Sequence, residues 1–415
     1  MTITFVEHDT AEPALYGAMA AVLARARGAE FAHLPAMFDT RLKADAVQHV
    51  AAIGALVPSG LVWFERLTGR EVGREAALDE LLLRAQSCDL VVPWHRPLAA
   101  DGQALAHLVD RTAAAGITVE HFVVTDEADG WRIRSREGSV PTEARGPWRR
   151  DRFGRLKATA SDRGASRPEL PLRIGLVGAE SDHRWVFPAA LAALGDASDT
   201  EGSSTDVLFI APIGLSHQDV DDILAETDGL LLPGGSDMAN VPGQILMAEG
   251  ALRSRTPTIG LCLGMQTMTT AIIQKALGSS RANLAEADPS APIKTFVPLF
   301  EEGSLPAHRL GEQRITVASG SRLHYILGRE ARIRCNHRFR LNPELRLILE
   351  NAGLRISAHD GSGRIAEAIE LTGHPFYLGM QGHPELSSRS GAPHPLIRAF
   401  LQACRSHAAV RSREL

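Results

Sequence analysis

At 415 residues the chain is longer than one hydrophobic core usually supports, so two domains are expected. Hydrophobic residues at 44% and charged residues at 22% are ordinary for a globular enzyme, and a net charge of −5 gives no reason to propose a nucleic-acid partner. No apolar run reaches the roughly 18 residues of a membrane span, and MTITFVEHDTA carries acids where a secretory leader carries a basic segment, so a cytoplasmic location is expected.

The first 131 residues alternate between strand and helix patterns. TITFVEH reads as a strand, AEPALYGAMAAVLARARG and GREAALDELLLRAQS as helices, and CDLVVPWHR as a strand. DGQALAHLVDRTAAAG then reads as a helix and ITVEHFVV as a strand. That order predicts a small α/β domain on a largely parallel sheet. Residues 132–170 are rich in Arg, Gly, Pro and Ser without an apolar period, and are expected to form a linker whose charges are solvated; an anion-binding or docking strip is the alternative. A second α/β domain, residues 171–415, starts at PLRIGLVGAE and continues through DVLFIAPI, TDGLLLPGGSD and TPTIGLCLG. Each of these runs ends in a loop, and strand ends are where open α/β sheets bind ligands.

Of the four cysteines, Cys88, Cys335 and Cys404 read as buried or indifferent thiols. None shows CxxC or Cys/His spacing, so neither a metal site nor a cofactor is expected. Cys262 is different. It sits in GLCLGMQ, where an apolar strand meets a helix across a glycine-flanked corner. Such an elbow raises the side chain above the sheet, the positive helix end favours its thiolate, and the N–H of Leu263 points toward an oxyanion. A thiolate nucleophile needs an imidazole to carry its proton and a carboxylate to orient that imidazole. QGHPE supplies His383 and Glu385 two residues apart, on the same side of an extended segment. Without Cys262, a surface His-Pro-Glu turn would be the better reading.

GLCLGMQ together with QGHPE resembles the class I, Cys-His-Glu glutamine amidotransferases. LLPGGSD, RANLAEADP, AHRLGEQRI, RCNHRFRLN and HPELSSRSGAPHPLIRAF resemble one branch of them, the glutaminase domain of CTP synthase, over about residues 172–405. The resemblance implies a flavodoxin-like open sheet, Cys262 as nucleophile, His383 as general base and acid, and Glu385 as its orienter. It further implies Gly235 and Leu263 as oxyanion donors, and Gln266, Glu286 and Arg334 as residues holding L-glutamine. Independently, a zwitterionic amino acid needs one fixed anion and one fixed cation, which Glu286 and Arg334 would supply; surface charge is the alternative for both.

The resemblance does not extend to the N-terminal domain. No GxxxxGK[ST] phosphate loop occurs in the sequence, so amination of UTP is not implied. An unidentified small-molecule acceptor for ammonia would bind the N-terminal domain or a partner, whether a second copy or a synthase. Candidate acceptor residues are Trp94, His95 and Arg96 after one strand, and His8 after another. His8 and Asp9 read equally as a turn with a helix N-cap. Two other functions stay open: a stand-alone hydrolase of γ-glutamyl compounds, and a glutamine-binding regulatory protein.

Overall fold

The computed structural model describes residues 1–99, 104–135, 139–159, 171–299 and 307–414. The chain divides into two compact α/β units, Met1–Ser166 with Ser181–Ala192, and Arg167–Glu180 with Ala193–Leu415.

The N-terminal unit is built on seven strands: β1 (Thr2–Glu7), β2 (Glu30–Phe31), β3 (Leu90–Trp94), β4 (Thr118–Glu127), β5 (Gly130–Ser135), β6 (Trp148–Arg150) and β7 (Leu156–Ala158). Their order is β2-β3-β1-β4-β5-β6-β7. The first four are parallel, with Ile3 opposite Leu90 and Val119, and the rest are antiparallel. β1 and β3 are apolar runs buried along nearly their whole length, as parallel strands covered on both faces must be. The helix Ala18–Arg27 is stopped by Gly28 in the left-handed conformation, and the helices Leu78–Arg84 and Ala104–Ala114 fall inside their expected windows.

Part of the expected linker is sheet. β5, β6 and β7 continue the N-terminal sheet through Ala158, while residues 160–170 lie outside the described residues. On β5 the arginines flank a buried apolar residue and so hid the strand. Ile133 is buried, whereas its neighbours Arg132 and Arg134 both reach Glu127 on β4, at 2.8 and 2.7 Å. Also unanticipated were a hairpin of His49–Ala51 with Ala55–Val57 and a helix at Val62–Thr68.

Among the described residues the main sheet of the C-terminal unit has nine strands: β8 (Leu172–Val177), β9 (Thr205–Ile210), β10 (Gly229–Leu232), β11 (Thr258–Leu261), β12 (Arg309–Val317), β13 (Glu330–His337), β14 (Leu354–Asp360), β15 (Ala366–Leu371) and β16 (Tyr377–Met380). The order β9-β8-β10-β11-β16-β15-β14-β12-β13 joins a parallel half, β9 to β16, to an antiparallel half. Helices His217–Glu226, Val241–Ser254 and Leu263–Leu277 connect the parallel strands; Ser216 starts the first with a reciprocal capping box to Asp219. The core collects Leu230, Leu232, Val241, Met265, Met268 and Phe296 between sheet and helices. Among the described residues no helix is long and apolar enough to cross a membrane.

Candidate active site

The corner after β11 is tight for steric reasons that can be read atom by atom. A Cβ at Gly260 would sit 2.3 Å from Met268 Sδ, and one at Gly264 would sit 2.1 Å from the Leu232 carbonyl oxygen. Only glycine lets the helix Leu263–Leu277 approach the sheet this closely. Cys262 takes up the turn at φ 50°, ψ −106°, and among the described residues only Arg255 is another non-glycine with positive φ. Its N–H donates to the Met380 carbonyl at 2.8 Å, and its carbonyl accepts from Gln266 N–H at 3.2 Å, the first bond of the helix. Leu263 is therefore the first helical residue, and its N–H has no partner within the helix.

Around the sulfur, Cys262 Sγ lies 3.7 Å from the Asn336 carbonyl oxygen, as donor, and 3.7 Å from Gln381 Nε2, as acceptor. His383 follows β16, and its N–H donates to the Arg334 carbonyl at 2.8 Å, tying it to β13. Its Nδ1 is 2.8 Å from Glu385 Oε1, and the Glu385 carboxylate is 1% exposed. Burial alone would lower the His383 pKa, but the charges of Glu385 and Cys262 outweigh it and hold it well above the ordinary value. Nε2 is buried without a hydrogen bond of normal geometry. Gly234 packs over this pair: a Cβ there would lie 3.0 Å from His383 Cε1 and 3.3 Å from Cys262 Cβ. Gly235, next in that loop, is half-buried.

Gln266 is buried one helical turn beyond Cys262, with Nε2 3.4 Å from Gln381 Oε1 and its own Oε1 unpartnered among the described residues. Partial desolvation pushes the Glu286 carboxyl up, opposed by the charge of Arg338. Arg338 is thus a cation within electrostatic reach of Glu286. Arg334 is 8% exposed, and its carbonyl is the acceptor for His383. Arg338 Nη2 donates to His308 Nδ1 at 3.1 Å, leaving His308 Nε2 to donate to Asn336 Oδ1 at 2.8 Å. A polar chain therefore runs from Arg338 through His308 to Asn336, the residue whose carbonyl faces the thiol. Sequence reasoning missed His308, Asn336, Arg338 and Gln381; the first three lie in quoted segments, AHRLGEQRI and RCNHRFRLN, and Gln381 opens QGHPE.

Beneath the site, Cys335, His337 and Glu367 bring ligand-type atoms within 4.8 Å of one another, a grouping the sequence spacing did not suggest. Arg309 already supplies a cation there, 2.5 Å from Glu367 and 3.8 Å from Asp360. Burial pushes the Cys335 thiol up and the His337 imidazole down to about 3. The cluster is a buried, neutralised support for β13.

The N-terminal candidates separate into two groups. His8 and His95 face each other, ring centroids 5.5 Å apart. Trp94 is 6% exposed and packs in the core cluster with Phe5, Leu81 and Leu90. Arg96 forms an ion pair with the buried Glu7, which His121 also contacts at 3.1 Å.

An open α/β sheet with a strained cysteine elbow beside an imidazole–carboxylate pair defines a class of thiol-bearing α/β proteins. The comparisons place one part of the chain within it: residues 210–403 match the family model described as glutamine amidotransferase class-I, and the chain carries a class-I glutamine amidotransferase domain. The CTP synthase of Roseiflexus castenholzii is 34% identical over 262 residues, 61% of this chain and 45% of that protein. The CTP synthase of Herpetosiphon aurantiacus is 31% identical over 243 residues, 57% of this chain and 45% of that protein. The chain thus spans about half the length of the curated relatives it matches. A solved glutaminase domain of Trypanosoma brucei CTP synthase, with bound acivicin, shares the fold at a TM-score of 0.54 and 24% identity, covering 57% of this chain and 94% of that one.

Proposed function

We propose that the C-terminal unit hydrolyses L-glutamine through a γ-glutamyl thioester on Cys262 and that the ammonia passes to a small-molecule acceptor bound by the N-terminal unit or a partner. The observation that carries this reading is the Cys262 elbow beside the His383–Glu385 pair, inside a class-I glutamine amidotransferase domain. The Cys262 sulfur attacks the side-chain amide carbon, and its proton passes to His383. The carbonyl oxygen becomes an oxyanion held by the N–H groups of Gly235 and Leu263, a contribution of about 3 kcal/mol per donor. His383 then gives its proton to the leaving nitrogen, ammonia departs, and the C–S bond remains. Water, deprotonated by the same imidazole, cleaves the thioester to glutamate and free thiol. Glu385 fixes the imidazole and balances its charge throughout. Gln266 lies beside the nucleophile, while Glu286 faces the α-ammonium and Arg338 the α-carboxylate. Arg334 is the second arginine for that last role.

Glutamate release by the whole chain is to be measured with glutamine alone and across a panel of nucleotides, sugar phosphates and carboxylates. Release that is weak alone and rises with one panel member supports coupled transfer. Full activity with glutamine alone, unchanged by every panel member, favours the stand-alone hydrolase. No release under any condition sinks both.

A further inference from the structure

We infer that the carboxyl edge of the N-terminal parallel strands is an oxyanion-binding site, in which Arg150 and His8 receive the carboxylate or phosphate of a small ligand. The strand directions bring the residues together. His8 follows β1 and His95 follows β3, at the carboxyl ends of adjacent parallel strands. From β4 to β6 the direction reverses twice, so Arg150, the last residue of β6, and Trp131, near the start of β5, come to the same edge. This is the edge at which open α/β sheets take ligands.

The chemistry at that edge is built rather than incidental. The Arg150 side chain is only 8% exposed, a position charged groups occupy when they are paired or bind something. Its guanidinium carbon lies 3.9 Å over the Trp185 ring and 5.6 Å from that of Trp131. Nη1 donates to the Arg184 carbonyl at 2.8 Å and Nη2 to Glu12 at 3.0 Å, while Nε is buried with no partner among the described residues. His8 is 6% exposed, its Nδ1 is likewise buried and unpartnered, and its ring meets Trp131 edge-on at 6.3 Å. Two orphaned nitrogens, one of them on the buried cation itself, cost stability unless a ligand atom takes them.

The neighbours set the sign of that ligand. His95 accepts the Gly17 N–H at Nε2 (3.1 Å), so its proton is on Nδ1, donating to the Thr10 carbonyl at 3.1 Å. Burial first, then His95 and Arg150, hold His8 neutral with a pKa of about 3, and burial holds His95 near 4. His8 and His95 thus bring neutral nitrogens beside the Arg150 cation, with the charges of Arg184 and Asp9 nearby and Arg96 already paired to Glu7, and an acceptor-rich anion satisfies both orphans at once. Glu12 is the carboxylate already on Arg150, and its side chain is 37% exposed. It stands where an incoming oxyanion would, and can swing into water when displaced. The inference is independent of glutamine chemistry; if the coupled reading above holds, this edge is where the acidic group of the acceptor rests.

Calorimetric titration of the full chain, without glutamine, with inorganic phosphate, pyrophosphate and succinate tests it, the probes separating phosphate from carboxylate preference. At least one should bind with a Kd below about 10 mM. Arg150→Gln should weaken that probe tenfold or more, because a charge-assisted bond is lost. Glu12→Gln should tighten it, because a competing carboxylate is gone. That gain is a readout a purely structural ion pair would not give. Should Arg150→Gln fail to fold, His8→Gln and Glu12→Gln decide the matter. No binding by any probe, or binding that ignores both Glu12→Gln and His8→Gln, overturns the inference.

Discussion

Replacing Cys262 with alanine should reduce glutamate release by about a thousandfold or more, while any amination driven by added free ammonia survives, since the thiol serves only to release ammonia. Wild-type glutamate release from the alanine variant would remove the elbow from the chemistry. His383→Ala should lower kcat. Glu286→Ala and Arg338→Ala should raise KM for glutamine about tenfold or more with kcat largely kept, because the α-groups are held alike in ground and transition states. Arg334→Ala is the discriminating comparison: if it, and not Arg338→Ala, carries the KM effect, the charge pair has been drawn through the wrong arginine. Cys262, His383 and Glu385 were legible in the sequence because each stands in a short motif whose spacing fixes its geometry. The spacing does not choose between the two arginines. Residues 334, 336 and 338 share one side of an extended segment, with Arg334 enclosed and Arg338 open, and the KM comparison decides between the two guanidinium groups.

Gly264→Ala tests the elbow as an element. The added methyl would press on the backbone of β10, not on a flexible side chain, so the helix Leu263–Leu277 must lift or the strand must shift. We expect a loss of 1–3 kcal/mol or more, about 5 °C in the melting temperature of the C-terminal unit. An unchanged melting profile would mean that the helix sits less tightly than described. The parallel strands of the C-terminal sheet were readable because apolar runs ended at glycine-bearing loops, and β1, β3 and β4 as apolar runs between helices, whereas β2, two residues long, was not. The antiparallel halves were not. β12, β13 and β14 mix arginine, glutamate and histidine with apolar residues, which reads as loop until partner strands are known. β6 and β7, three residues each, are too short for a period to show.

At the scale of the molecule, the two units should respond differently to acid. In the N-terminal unit the shifted imidazoles all go down: His8 to about 3, His95 to about 4, and His33 lowered, each chiefly by burial. A folded pKa below the unfolded value of about 6.5 means that the unfolded chain binds the proton first. The stability these groups contribute is whole above that value and is lost as pH falls toward 3–4. At pH 5, His8 and His95 each remove about 2 kcal/mol. In the C-terminal unit, His337, His359, His374 and His394 act in the same direction, but His383 and Glu367 are raised, Glu367 to about 7, and oppose them. Calorimetry at pH 7.5 and 5 should therefore show the N-terminal transition moving to lower temperature by more than the C-terminal one. Equal shifts would contradict the buried, neutral state of His8 and His95.

The backbone at Cys262 has a consequence for anyone selecting improved variants of this chain. A side chain held at φ 50°, ψ −106° costs about 1–3 kcal/mol, and glycine at that position would relax it. Cys262→Gly should then melt at or above the wild-type temperature while releasing no glutamate. A library screened only for heat resistance or expression yield would enrich the inert protein, so the position needs an activity screen alongside.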